Sequence, residues 1–197
     1  MYHLYQTEGI VLKSVPTGEG SSYFYIFTKD LGLLVATAKS VREERSKLRY
    51  GLQPFSISNI SLVRGKESWR ITNATLSSSL FRRLRHQQET LALFSRIFAF
   101  LCRLVPPEEA SKDIYATLTG AMGFLETCDA NPALCDDAEL CLLIRMLSPL
   151  GYLAGREELS PFVSDSLVWS EGTLKSLRGV RRLALAETNR ALRASHL

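Results

Sequence analysis

Lys39, Arg42, Arg45, Lys47 and Arg49 fall within eleven residues, opposed only by Glu43 and Glu44. Cations at this density either stand solvated on a loop or neutralise phosphates, releasing condensed counterions as they do so. Arg64, Lys66 and Arg70 form a second basic group downstream, and Tyr23, Tyr25 and Trp69 offer rings on which bases could stack. No comparable constellation supports catalysis. G-x-x-x-x-G-K-[ST], G-x-S-x-G and H-E-x-x-H are all missing. Gly18-Glu19-Gly20 lacks a third glycine and runs into a strand-like segment rather than a helix. His3, His86 and His196 lie near a terminus or a segment junction. Asp136, Asp137 and Glu139 are expected at a helix N-terminus, where carboxylates complement the macrodipole. Cys128-x6-Cys135-x5-Cys141 is not a zinc spacing, so these three and Cys102 are expected to be reduced, mostly buried thiols. No enzyme, no cofactor and no metal are expected.

The elements that hold these residues change type along the chain. Its 197 residues, 46% of them hydrophobic, suffice for one large domain or two small ones. "TEGIVLKSV", "SSYFYIFT", "LLVATAKSV", "FSISNISLV" and "SWRITNATL" read as five short strands. "KDLG" gives a turn in which Gly32 is free to take positive φ. A short helix-like piece around Leu48 to Leu52 fits between the third and fourth strands, which is the OB-fold arrangement. Strand alternation sets Tyr23 and Tyr25 on one face and Phe24 and Ile26 on the other, with the buried face left open. From Ser78 the period becomes helical. Leu84, Leu91, Phe94, Phe98, Leu101 and Val105 form one stripe, and Leu93, Ile97, Phe100 and Leu104 a second on the same helix. So wide an apolar arc suggests a central helix in a bundle. Ile114 to Leu125 makes the next helix. Asp136-x-x-Glu139 offers a capping box for a third, and a last helix starts near Thr173. The expected architecture is α+β in two domains, an OB-fold barrel over residues 1–78 and an all-α domain over residues 79–197.

Charge divides the same way. Residues 1–80 hold ten Lys/Arg and six Asp/Glu, residues 86–171 hold five and thirteen, and residues 172–197 hold six and one. Arg82, Arg83 and Arg85 cluster at the first boundary. Basic ends around an acidic middle suggest a polyanion partner. The run Leu91 to Val105 is too short and, with Arg96 and Arg103, too charged to span a membrane. The N-terminus carries no signal-peptide pattern, so the cytoplasm is the expected location.

Several stretches together resemble the RecO family of bacterial recombination mediators. They are "TEGIVLKS", "GEGSSYFYIFTKDLG", "ATAKSVREERSKLRYGLQPF" and the helical "AELCLLIRMLSPLGY", in that order. The resemblance implies an N-terminal OB-fold, a C-terminal helical domain and a role in DNA repair and recombination. It implies binding of single- and double-stranded DNA and annealing of complementary strands. It also implies partnership with RecR and with the C-terminal tail of single-strand-binding protein in loading RecA. Three departures stand out. Ser40 occupies a position where many members carry Gly. "GYLAGREELSPFVSDSLVW" has no cysteine where many members carry a zinc module. The chain is also shorter than most members.

Within that frame the DNA contacts are expected from Lys39, Arg42, Arg45, Lys47, Arg49, Arg64, Lys66 and Arg70, with Tyr23, Tyr25 and Trp69 divided between stacking and core. Lys175, Arg178 and Arg182, with Arg193, form a basic stripe on the last helix. A solvated helix face is the plainer reading of it, and a second DNA surface the bolder one. Arg96, Arg103 or Arg145 could rim a groove for an acidic tail. A monomer is expected in the free state, with no membrane contact. The competing reading is a non-catalytic OB-fold adaptor that binds protein rather than nucleic acid.

Overall fold

The computed structural model describes residues 3–66, 68–128, 131–153, 155–164 and 168–194. His196 and part of the cysteine-free loop, Ala154 and residues 165–167, lie outside them. Five strands come first: β1 (Leu4–Thr17), β2 (Ser21–Thr28), β3 (Gly32–Ala38), β4 (Ser56–Arg64) and β5 (Trp69–Ser79). They close into a barrel in the order β1-β2-β3-β5-β4. β1 is long because it serves both neighbours. Leu4 to Ile10 pair with β4 and Gly9 to Thr17 pair with β2, all antiparallel. Closure on the far side is parallel and brief, Ala36 to Trp69 and Thr37 to Arg70. This is the OB-fold expected from the sequence.

Strand period decides the core. Phe24 and Ile26 of β2, Leu34 and Ala36 of β3, Ile60 and Leu62 of β4 and Ile71 of β5 all turn inward. Tyr23, Val35 and Thr37 turn outward. The β2–β3 turn needs its glycine. Gly32 sits at φ 72, and a Cβ there would lie 2.1 Å from the Glu109 carbonyl oxygen.

Residues 39–55, between β3 and β4, are a series of turns, not the helix-like piece expected around Leu48 to Leu52. The Leu52 N–H does reach the Leu48 carbonyl at 3.1 Å, but the pattern does not propagate. Two apolar side chains, Val41 and Leu52, instead drop into the barrel core and leave the charged residues outside. Ser40, where the family resemblance carries glycine, adopts φ 51. The left-handed backbone is therefore kept, at the strain a non-glycine residue bears there.

Among the described residues seven helices follow: α1 (Leu80–Arg83), α2 (Gln88–Leu104), α3 (Lys112–Thr127), α4 (Pro132–Leu147), α5 (Ser160–Ser164), α6 (Glu171–Leu177) and α7 (Arg181–Ala194). Contacts divide the chain into two compact units, one of Met1–Arg83 with Val105–Ser111, the other of Leu84–Leu104 with Lys112–Leu197. In the second unit the central helix is α4, not α2. α4 packs against α2, α3, α5, α6 and α7, and Leu134, Cys135, Ala138, Leu140, Cys141, Leu142, Ile144, Met146 and Leu147 bury it nearly all round. Leu91 and Phe100 of α2 are only partly covered.

α4 also starts a turn earlier than the capping-box reading expects. Asn131 is the N-cap, its Oδ1 accepting from the Leu134 N–H at 2.9 Å, and Pro132 follows at the first helical position. Asp136, Asp137 and Glu139 therefore lie inside the helix, not at its dipole. The last helix is also broken, because a 3₁₀ turn over Arg178–Val180 separates α6 from α7. No described helix is long and apolar enough to cross a membrane.

Candidate nucleic-acid interface

The basic loop is a built feature of the barrel. The Arg42 N–H donates to the Gly20 carbonyl at 2.9 Å. The Arg42 guanidinium donates to the Gly18 and Glu19 carbonyls, which pins the loop to the β1–β2 turn. Arg42 is thus partly a structural clamp, although it stays exposed. Lys39, Arg45, Lys47 and Arg49 are exposed as well, and no side-chain hydrogen bond or ion pair engages them among the described residues. Four solvent-facing cations stand on a backbone held by Val41, Leu52 and Arg42 and make a positively charged surface.

Charge separates a pair of grooves formed by described residues of this unit. One of ≈ 380 Å³ has Phe24, Val41 and Leu52 among its lining and Arg42 and Arg49 beside them, with Ser14, Pro16 and Ser22 from the hairpin opposite. The other, ≈ 530 Å³, is larger but polar, with Glu8 and Asp30 against Lys29 among Gln6, Asn59, Ser61, Asn73 and Thr75. A phosphate chain is attracted to the first and repelled by the second.

The outer face of β1, β2 and β3 carries the aromatics. Register sets Lys13 beside Tyr25 beside Val35, and Val15 beside Tyr23 beside Thr37, with Arg70 next along. Tyr23 is 42% exposed. Tyr25 is half-buried, its ring covered by the Lys13 ammonium 4.0 Å from the centroid. Both tyrosines therefore face outward, which the sequence left open.

Trp69 differs. It is 5% exposed and packs in the barrel core against Tyr5, ring centroids 5.1 Å apart. Its Nε1–H donates to Glu108 Oε1 at 3.0 Å. The stacking role considered for Trp69 falls away, because its ring and its one donor are both engaged inside the unit. Glu108 also holds Arg64, at 2.7 Å, so Arg64 comes with its own counter-charge. Lys66 and Arg70 remain exposed.

The basic stripe at the end of the chain is largely taken up by ion pairs. Arg178 Nε donates to Asp137 Oδ2 at 2.6 Å, and Arg181 binds Oδ1 of the same carboxylate. Asp137 is buried, so the two arginines are the counter-charges that let it lie there. Lys175 pairs with Glu171 at 3.0 Å, one turn back. Of the expected tail residues only Arg182 and Arg193 are exposed without an ion pair among the described residues.

Two of the arginines suggested for an acidic-tail groove are committed too. Arg145 is buried, donates to the Phe162 and Val168 carbonyls at 2.8 and 3.0 Å, and lies over the Trp169 ring. Arg96 donates to both oxygens of Glu139, which raises its guanidinium above the ordinary value. Arg103 is exposed.

Lys13 and Tyr50 escaped the sequence reading. A register shift between Val11 and Lys13 puts Leu12 out of phase, so simple alternation misassigns the Lys13 face. Tyr50 follows Arg49 directly and is 70% exposed.

Comparison with known proteins bears on this surface. Residues 1–80 match the family model described as "Recombination protein O N terminal". A DNA repair protein RecO of Thermodesulfovibrio yellowstonii is 34% identical over 152 residues, covering 76% of this chain and 58% of its own length. One of Dehalococcoides mccartyi is 32% identical over 154 residues, 76% and 57%. One of Synechococcus sp. is 31% identical over 164 residues, 77% and 54%. The chain thus spans a little over half the length of these relatives.

Proposed function

The chain belongs to the RecO family, and from that premise we propose that it acts in DNA repair and recombination by holding DNA strands on its OB-fold and annealing them. The observation that carries the reading is the fixed loop bearing Lys39, Arg45, Lys47 and Arg49 beside the Arg42–Arg49 groove. A polyanion relieves the mutual repulsion of those charges and gains entropy from released counterions. Tyr23, with Val15 and Val35 around it, supplies an apolar sheet face against which unpaired bases can lie. Lys13 and Arg70 flank that face and would meet the backbone. Single-stranded DNA is bound there, and duplex through its phosphates alone. Annealing needs a second strand, and Arg182 and Arg193 on α7 are exposed cations suited to contact one. Partnership with RecR, with the tail of single-strand-binding protein and with RecA loading extends the same reading, as does a cytoplasmic location.

The reading is tested with two complementary oligonucleotides carrying a fluorophore and a quencher. The protein should accelerate pairing at low salt and lose the effect as salt rises. Pairing at the uncatalysed rate across all protein and salt concentrations would contradict it. In that case a protein-binding adaptor would be the better account of the same barrel.

A further inference from the structure

We propose that Tyr50 is a base-stacking residue that makes the basic loop prefer single-stranded over duplex nucleic acid. The inference rests on the reading of that loop as a phosphate-binding surface, and adds a stacking side chain besides Tyr23. Tyr50 is 70% exposed, more than Phe81 or Val168 at 56%. Among the described residues nothing forms a hydrogen bond, ion pair or ring contact with it. An aromatic side chain so placed keeps most of its apolar area in water, open to a flat partner that would cover it.

The backbone under the ring is fixed. The carbonyl of Gly51, the next residue, accepts from the buried Ser58 hydroxyl at 2.7 Å. A Cβ on Gly51 would lie 2.6 Å from the Ala74 carbonyl oxygen, so only glycine lets the loop approach β5 this closely. Leu52 is buried two residues on, and its N–H is bonded to the Leu48 carbonyl. A mobile loop would have to be ordered before its ring could stack, whereas here the backbone that carries the ring is already held.

The surroundings choose the partner. Arg45, Lys47 and Arg49 precede Tyr50, and Arg49 borders the groove that Phe24, Val41 and Leu52 help line. A ligand suited to this place carries flat apolar rings spaced along a chain of negative charge. An unpaired strand offers that; a duplex offers the charge but keeps its bases stacked inside. An acidic peptide shares the charge without the regular rings, and a membrane would require more apolar area than one ring.

The test compares the unaltered protein, Tyr50→Ala and Tyr50→Phe on three labelled probes of one length: a single strand, the same strand made abasic, and a duplex. Tyr50→Ala should weaken single-strand binding by about fivefold to about 150-fold, the range measured for removing one stacking ring. It should leave the salt slope and duplex binding unchanged, since no phosphate contact is lost. Tyr50→Phe should bind as the unaltered protein does, and the loss caused by Tyr50→Ala should vanish on the abasic strand. Equal binding by Tyr50→Ala and the unaltered protein, with the steep salt slope intact, would overturn this proposal alone. So would an equal loss on the abasic strand. Salt-independent or undetectable binding by the unaltered protein would overturn the phosphate reading, and the proposal with it.

Discussion

Removing Arg178 and Arg181 together should destabilise the helical unit more than removing the carboxylate they serve. The Asp137 side chain is 3% exposed, while those of Arg178 and Arg181 retain 50% and 37%. The asymmetry follows from where water can reach. In Arg178→Ala/Arg181→Ala the carboxylate stays on the buried face of α4 with neither counter-charge, which costs about 3–5 kcal/mol. In Asp137→Asn the two guanidinium groups can turn outward and hydrate. The loss is then limited to their hydrogen bonds and packing, on the order of 1–3 kcal/mol. The double variant should therefore be less stable than Asp137→Asn by roughly 2 kcal/mol. Urea unfolding of the full chain, followed by far-UV circular dichroism, measures the difference because the second unit holds most of the helix. Oligonucleotide binding by folded Arg178→Ala should stay close to that of the unaltered protein. The reasoning is refuted if Asp137→Asn is the less stable of the two. It is also refuted if Arg178→Ala folds normally and binds DNA many times more weakly, since Arg178 would then belong to the ligand rather than to Asp137.

Two further outcomes are expected. Gly32→Ala meets both a positive φ and the Glu109 carbonyl, so its cost should exceed the roughly 1 kcal/mol of an ordinary conformational penalty; a variant with unchanged urea midpoint would contradict the close approach. Burial pushes the Cys141 thiol from its ordinary 9.0 up to about 11. Its folded pKa is thus raised, so its contribution is fully present below about pH 9. It is then lost as pH climbs toward 11, at ~1.4 kcal/mol per pH unit. Cys141→Ala should flatten that part of the stability–pH curve, and an unchanged curve would show that other groups cause the alkaline loss.

The barrel was legible because its strands obey one rule. Alternation in "SSYFYIFT" separates Phe24 and Ile26 from Tyr23 and Tyr25, and the barrel only had to settle which pair faces in. Trp69 was not legible, since the Glu108 that engages it lies 39 residues later in the chain. Asp136-x-x-Glu139 imitates a capping box, yet Asn131-Pro132 supplies the real start of α4, and burial on every side hides the usual helical stripe. The arginine stripe misled for a related reason. Helical spacing shows which residues share a face but not that Asp137, 41 residues before Arg178 and 44 before Arg181, lies against that face. Charge in the loop was visible throughout. What could not be read was the division of labour within it, with Arg42 clamping the hairpin and Tyr50 standing exposed beside Arg49.

The most direct measurement is the salt dependence of single-strand binding after Lys39, Arg45, Lys47 and Arg49 are all changed to Glu. Arg42 is left in place because its bonds to Gly18 and Glu19 hold the loop. If each of the four cations meets about one phosphate, together they contribute roughly −3 to the log–log slope, at about −0.7 per phosphate of a single strand. The variant should keep the circular dichroism of the unaltered protein, bind far more weakly at low salt, and show a slope flatter by about that amount. A folded variant that retains the original affinity and slope would mean that the loop's charge serves something other than DNA.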